Sequence, residues 1–493
     1  MIDPNKLKPD SLKSKTIIAV FWSFSEQLSQ QGIQFVVTIV LARILLPVEF
    51  GLIAMLTVFM AIAQSFINSG FAQALIQKHK TTHVDECTIF YFNVLVGFFA
   101  AGLLCVAAPW IAGFYYQPLL IPLTYALSLN LIINAFGLVQ TTLLTKRIDF
   151  KTQLKVSVIA TIISGIIGIM MAFDGFGVWS LVVQSVSCNL LRAGLLWVFN
   201  PWRPSLIFSF SSLREMFVFG SRLLASGLIS TIFDNIYLAV IGRFFSPVSL
   251  GFYSQAEGLQ KLPVSNLSNI ISRVTFPVFS SIKDDHPRLK RGVRKALSFL
   301  VLVNFPLMIG LAIVAEPLVL VLLTEKWLPC VPYLRLLCAV GLLYPLHVMN
   351  LNVLTAQGRS DLFFYLEVLK RILVVLAIVI TYQGGIVSMI YGQITTSFLA
   401  YILNTYYTGK LLDYSFVEQV KDLMPILALS IVMGLVVYVL KYANIVNPLA
   451  FLTTQIITGI SVYIGLCYIF KISSFMEILA LIKSESIKHN YIN

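Results

Sequence analysis

Val40-Leu-Ala-Arg43-Ile-Leu-Leu-Pro47-Val-Glu-Phe-Gly51 returns 200 positions later as Val240-Ile-Gly-Arg243-Phe-Phe-Ser-Pro247-Val-Ser-Leu-Gly251. Arg, Pro, Val and Gly keep their register, and each copy joins two long apolar segments. What is duplicated is therefore a membrane module, and a duplicated membrane half is the architecture of a transporter body.

Composition agrees. Of 493 residues 58% are hydrophobic and only 12% charged, and the mean hydropathy is +0.86. A water-soluble core does not need that balance. Spanning the hydrocarbon takes about 20 apolar residues per helix, and runs of that length fill nearly the whole chain. They predict an all-α integral membrane protein with about fourteen transmembrane helices: 16–41, 48–76, 87–112, 118–143, 154–173, 176–198, 213–241, 248–281, 296–322, 328–355, 362–381, 385–408, 420–441 and 448–470. Pro263 and Pro306 are expected kink sites, because each removes a backbone donor from its helix.

Lys and Arg collect in alternate loops: Lys6, Lys8, Lys13 and Lys15 at the start, then Lys78 with Lys80, Lys146 with Arg147, the cluster from Lys283 to Lys295, and Lys483 with Lys488. The other loops hold only Arg43, Arg243, Lys326 and Lys441. This bias predicts cytoplasmic N- and C-termini. It also accounts for the net charge of +13 through topology, which argues against a nucleic-acid partner, since no compact basic domain exists to carry one. The Lys-rich start leads straight into a full-length span, so the first helix is expected to be a signal anchor rather than a cleaved leader. Six cysteines are scattered without C-x-x-C spacing and read as small apolar packers.

An even number of predicted spans, six, separates the two copies of the phrase. The chain therefore returns to the same side, and the halves are parallel repeats rather than inverted ones. The expected organisation is an N-lobe at 1–200, a cytoplasmic linker at 201–212, a C-lobe at 213–410, and two further helices with a tail at 411–493, the two six-helix lobes enclosing a central cavity. Within the phrase, Pro and Gly make a tight reversal. Arg43 and Arg243 either sit at a helix C-terminus near the headgroups or meet a substrate.

Polar residues inside spans are the candidates for chemistry. The first span carries Glu26, Gln27, Gln30, Gln31 and Gln34 on a broad stripe, which reads either as interhelical bonding or as the wall of a wet cavity. In the seventh, Arg222, Ser226, Ser230, Asp234 and Tyr237 follow at intervals of three or four. The eighth adds Glu257, Lys261 and Arg273. A charge at mid-membrane costs about 2.5 to 3.5 kcal/mol or more, so function is the default hypothesis for it. Glu257 and Lys261, four apart, also satisfy a simple pairing. Arg222 and Arg273 are each expected about 14 Å from the cytoplasmic end of their spans, where two guanidinium groups suit a phosphate or pyrophosphate. Lys261 is a third candidate for that headgroup. Asp234 and Glu257 lie nearer the outer side and are candidates for Na+ or H+ coupling.

Other mechanisms lack their parts. There is no G-x-x-x-x-G-K-[ST] loop, the five histidines show no metal-ligand spacing, and every outer loop is too short for extracytoplasmic sugar chemistry. No enzyme, cofactor or metal is expected.

The chain resembles the Wzx-type polysaccharide flippases of the multidrug/oligosaccharidyl-lipid/polysaccharide superfamily, in its colanic-acid-exporter branch. The residues that carry the likeness are Leu41-Ala-Arg43 with Pro47 and Phe50-Gly51, Ser69-Gly-Phe-Ala-Gln-Ala-Leu-Ile-Gln77, Arg273-Val-Thr-Phe-Pro277, Asn304-Phe-Pro306, and Glu325-Lys-Trp327 followed by Leu334-Arg-Leu-Leu-Cys. The resemblance implies alternating-access transfer of an undecaprenyl-pyrophosphate-linked oligosaccharide to the periplasmic leaflet of a bacterial inner membrane, with membrane lipids, a polysaccharide polymerase and glycosyltransferases as partners. Likeness to lipid-II flippases implies a groove for the lipid tail on the last two helices. A MATE-like ion-coupled exporter of small molecules is the alternative that the duplicated lobes also permit. Its cavity should be more acidic and aromatic.

Overall fold

The computed structural model describes residues 9–68, 70–78, 81–443 and 445–480, without the side chains of residues 9–21, 218, 219, 222 and 223. Lys6, Lys8, His79, Lys80, Lys483, Lys488 and His489 lie outside the described residues, as do the side chains of Lys13, Lys15 and Arg222.

Among the described residues every regular element is a helix. Contacts group the chain into two compact units, Met1–Gly251 and Phe252–Asn493. The first holds α1 (Pro9–Ile44), α2 (Pro47–Ile67), α3 (Phe71–Gln77), α4 (His83–Tyr115), α5 (Leu120–Lys146), α6 (Phe150–Phe173), α7 (Val178–Phe199), α8 (Phe210–Asp234) and α9 (Ile236–Phe244). In it α1 lies on α6, α6 on α7, and α5 on both α4 and α7, while α2 touches α4, α5, α8 and α9. The helix α10 (Pro247–Ser281) begins in this unit and runs into the second, which adds α11 (His286–Leu323), α12 (Val331–Ala356), α13 (Ser360–Thr381), α14 (Gly385–Leu412), α15 (Phe416–Val439) and α16 (Pro448–Ile469). There α11 is the spine, packed on α12, α15 and α16, with α14 against α12 and α13.

Among the described residues nine helices are long and apolar enough to cross a membrane, or ten if the bent pair Leu224–Asp234 and Ile236–Phe244 is one span. The long helices α1, α10, α13 and α14 do not meet that test, so apolarity alone does not establish the expected fourteen. The cause in α13 is plain. Any 18-residue window of this helix includes Glu367, Lys370 and Arg371.

Local chemistry sets the helix ends. Thr82 caps α4: its Oγ1 accepts from Asp85 N at 3.3 Å, and Asp85 Oδ2 accepts from Thr82 N at 2.9 Å, the reciprocal capping box. Thr82→Ala removes one half of the box and is expected to cost about 1 kcal/mol, measured as a lower melting temperature of the purified protein; an unchanged temperature would refute the assignment. Asp285, Ser415 and Asn447 cap α11, α15 and α16 with single side-chain acceptors for backbone N–H groups, without the reciprocal bond.

The two copies of the repeated phrase meet each other. A Cβ on Gly51 would stand 1.8 Å from Pro247 O, and one on Gly251 would stand 2.0 Å from Pro47 O. Both prolines open helices, at α2 and α10, where a missing N–H costs nothing. The caps have diverged: Glu49 Oε2 accepts from Leu46 N at 2.6 Å in the first copy, whereas Ser246 Oγ accepts from Ser249 N at 3.1 Å in the second.

Proline is accommodated inside a helix as well. Pro306 leaves Leu302 O without its donor in α11, and the hydroxyl of Tyr463 on α16 donates to that carbonyl at 2.8 Å. The helix continues through Pro306. Two positions before the proline, Asn304 donates to Gly341 O at 3.1 Å, which ties α11 to α12. The segment between α7 and α8 is held by Trp202, buried with Phe71, Phe90 and Val139, its indole N–H on Glu86 Oε2 at 2.7 Å. The six cysteines are all free thiols, and four of them are buried.

Candidate functional site

The stripe of α1 is partly engaged within its own unit. Glu26 Oε1 accepts from Ser157 Oγ on α6 at 3.2 Å and lies 3.9 Å from Arg192 Nη2 on α7. Gln34 Oε1 accepts from Gln184 Nε2 on α7 at 3.4 Å. These two residues thus join α1 to α6 and α7. Gln27 and Gln30 are half-buried on the same helix. No local spacing in the sequence announces the approach of Arg192 to Glu26.

The stripe predicted along one unbroken span at 213–241 is interrupted. α8 ends at Asp234, Asn235 takes a non-helical ψ of 4°, and α9 departs at 43°. The Asn235 amide explains the break, because it donates to Thr231 O at 2.8 Å and so competes with the helical ladder. Ser226 and Ser230 precede the break, with Ser230 Oγ donating to Ser226 O at 3.1 Å. Asp234 is exposed at the helix end, and Tyr237 lies beyond the bend. The depths also shift. Arg222 stands twelve residues into α8 and Arg273 eight from the end of α10, or about 18 and 12 Å along their helices.

On α10, Lys261 Nζ lies 2.8 Å from Glu257 Oε1, the carboxylate largely covered and the ammonium exposed. Arg273 is exposed farther along the helix. Arg243 is held by α4: it donates to Phe114 O and, at 3.1 Å, to Tyr116 Oη, and its guanidinium lies 4.4 Å from the Tyr116 ring centre. That is the helix-end role.

The structure adds a charged cluster that the sequence reading left out. On α13 the Glu367 carboxylate is shared between Lys370, which donates to Oε1, and Arg371, which donates to Oε2 at 3.1 Å. Both cationic side chains are 16% exposed. Phe364, Tyr365, Val368, Ile372 and Val375 on the same helix are exposed, whereas the three charged side chains are largely covered. Lys370 stands ten residues into the helix, about 15 Å from its start. The signal was present in the sequence as three charges at i, i+3 and i+4 inside an otherwise apolar run.

Outside the spans, Lys78 joins Asp85 at 3.2 Å and Glu215 at 2.9 Å, linking the end of α3 to α4 and α8. The bond to Glu215 holds the Lys78 ammonium above its ordinary pKa, so it stays charged at physiological pH. A cavity of about 200 Å³ among α11, α12, α15 and α16 is lined by Glu316, Arg335, Tyr438, Lys441 and Gln455. Among the described residues no three His, Cys, Asp or Glu side chains come together as a metal site.

The sequence profile described as "Polysaccharide biosynthesis protein" matches residues 40–332, more than half of the chain. The protein belongs to that polysaccharide biosynthesis family. Within it, the chain is 30% identical over 402 residues to the lipopolysaccharide biosynthesis protein WzxC of Escherichia coli K12, covering 80% of both proteins. It is 33% identical over 306 residues to the teichuronic acid biosynthesis protein TuaB of Bacillus subtilis 168, spanning 62% of this chain and 63% of TuaB, a little under two thirds of that relative. Among solved structures, lipid II flippase MurJ in an inward closed conformation matches with a TM-score of 0.75 at 14% identity, over 92% of this chain and 98% of MurJ. An inward-facing multidrug resistance MATE transporter of the MOP superfamily matches with a TM-score of 0.60 at 14% identity, over 78% and 96%. This family member therefore has a fold like those of MurJ and the MATE transporter, an all-helical, multi-pass membrane architecture.

Proposed function

We propose that the protein is a flippase that moves an undecaprenyl-pyrophosphate-linked oligosaccharide from the cytoplasmic to the periplasmic leaflet of the bacterial inner membrane, for assembly of a surface polysaccharide. The observation that carries this reading is the match to WzxC along 80% of the chain. Lobes at 1–200 and 213–410 joined through 201–212 rock about a central cavity, with the segment from 411 onward beside them and both termini cytoplasmic. Arg222, Arg273 and Lys261 receive the pyrophosphate end, because guanidinium and ammonium groups make charge-assisted bonds to its oxygens. Gln27, Gln30, Ser226 and Ser230 offer neutral partners to sugar hydroxyls. Polymerase and glycosyltransferases act on the same lipid-linked glycan. The test is deletion of the gene in its host: loss of surface polysaccharide with accumulation of lipid-linked oligosaccharide supports the reading, whereas unchanged export together with lost drug resistance assigns the protein to small-molecule efflux.

Asp234 and Glu257 are the proposed coupling carboxylates, for Na+ or H+. In proteoliposomes, Asp234→Asn and Glu257→Gln together are expected to remove the response of transport to an imposed ion gradient. Transport that still follows both Na+ and pH gradients would exclude these residues.

A further inference from the structure

The cavity among α11, α12, α15 and α16 lies wholly within the second unit. Its volume of about 200 Å³ far exceeds the about 10 to 15 Å³ that a single water needs. Glu316 stands seven residues before the end of α11, Arg335 four residues into α12 and Gln455 seven residues into α16, so each is within about 11 Å of its helix terminus. Tyr438 and Lys441 sit where α15 ends. α11 starts among the basic residues from Lys283 to Lys295, and the cavity is at its other end, at the level of the lipid headgroups. Its wall carries both signs of charge. Glu316 accepts from Arg335 Nη2 at 3.2 Å, both side chains are about half exposed, and Lys441 is exposed. Gln455, by contrast, is only 3% exposed, and its Oε1 is buried with no donor among the described residues. An unpaired buried acceptor is costly, and this one belongs to a side chain that lines a space large enough for a donor-bearing ligand. Ile313, Leu320, Val446 and Phe451 make much of the remaining wall apolar.

We propose that this cavity binds the headgroup of a phospholipid that carries a primary ammonium, as phosphatidylethanolamine does. The phosphate takes donors from Arg335 and Lys441. The ammonium has three N–H groups and donates to Gln455 Oε1 and to the Glu316 carboxylate, while the apolar wall covers the glycerol end. Each part of the lining selects against one alternative. A choline headgroup is fully methylated and offers Gln455 no N–H. A headgroup without a cation leaves the Glu316 carboxylate unmatched, and a soluble ligand makes no use of the apolar wall. The site is separate from the residues assigned to cargo, so binding here does not depend on what the protein carries. A lipid held by all four helices binds the folded chain and not the unfolded one, and it therefore stabilises the packing of α15 and α16 on α11 and α12.

The test titrates purified full-length protein in detergent with phosphatidylethanolamine, phosphatidylcholine and phosphatidylglycerol of identical acyl chains, read by native mass spectrometry and by melting temperature. Phosphatidylethanolamine is expected to bind at least about tenfold more tightly than phosphatidylcholine, or about 1.4 kcal/mol, and to raise the melting temperature. Gln455→Leu is expected to abolish most of that preference. Because it also removes a buried unpaired acceptor, the lipid-free variant should be at least as stable as wild type. Glu316→Gln changes an exposed side chain and so keeps the test open if the Gln455 variant does not fold. It is expected to weaken phosphatidylethanolamine severalfold and leave phosphatidylcholine unchanged, whereas Lys441→Gln should weaken both alike. Equal binding of these two lipids by the wild type overturns the proposal, as does an unchanged preference in both Gln455→Leu and Glu316→Gln. Phosphatidylglycerol binding as tightly as phosphatidylethanolamine overturns the role of the ammonium. Phosphoethanolamine without acyl chains completes the series: binding as tight as that of the lipid assigns a soluble ligand and overturns the lipid.

Discussion

Replacing Gly51 or Gly251 by alanine is expected to destabilise the protein by about 1 to 3 kcal/mol and to cut export severalfold or more. The new methyl group at Gly51 meets the Pro247 carbonyl at 1.8 Å, and that at Gly251 meets the Pro47 carbonyl at 2.0 Å. Both obstacles are backbone at the first turn of a helix, so no rotamer change relieves them, and the two turns have to separate. Because the two contacts are one interface seen from either side, the energies should not add. Once the first alanine has pushed the turns apart, the second costs little. A double variant with nearly the melting temperature of the worse single variant is therefore the diagnostic result. Gly102 and Gly113 on α4 supply the control, since nothing lies within 4 Å of a Cβ there; alanine at either should be neutral or mildly stabilising through its helix propensity. Wild-type stability in both Gly51→Ala and Gly251→Ala would show that the contact is not held this closely.

The repeat was legible because a turn between two membrane helices has few chemical solutions. Proline at the first helical position is dictated locally, and the glycine that recurs with it is dictated by the contact of one copy with the other. The apolar helices were legible for a similar reason: their length and hydropathy follow from the bilayer. What escaped was everything decided by a distant partner. Glu26 looks like one polar residue among several on α1, and only packing shows that Ser157 and Arg192 reach it. Conversely, Asn235 was visible within the seventh span, but an intact helical period was extrapolated across it, and the competition between its amide and the backbone at Thr231 went uncounted. The α13 charges were visible too.

Removing the two deep arginines tests the cargo reading most severely. Arg222→Ala and Arg273→Ala are each expected to lower export by at least about tenfold, and the double variant to abolish it, with membrane insertion retained. A hydrogen bond to a charged group is worth about 1.5 to 3 kcal/mol, so losing two such contacts to one pyrophosphate costs at least about a hundredfold in affinity. Lysine at both positions separates charge from shape. It restores the point charge but not the planar fork, so partial recovery assigns a bidentate role to the guanidinium groups, and full recovery assigns an electrostatic one. Single-turnover flipping in proteoliposomes measures the loss in each variant. Full export by a normally expressed double alanine variant would remove both arginines from the transport path.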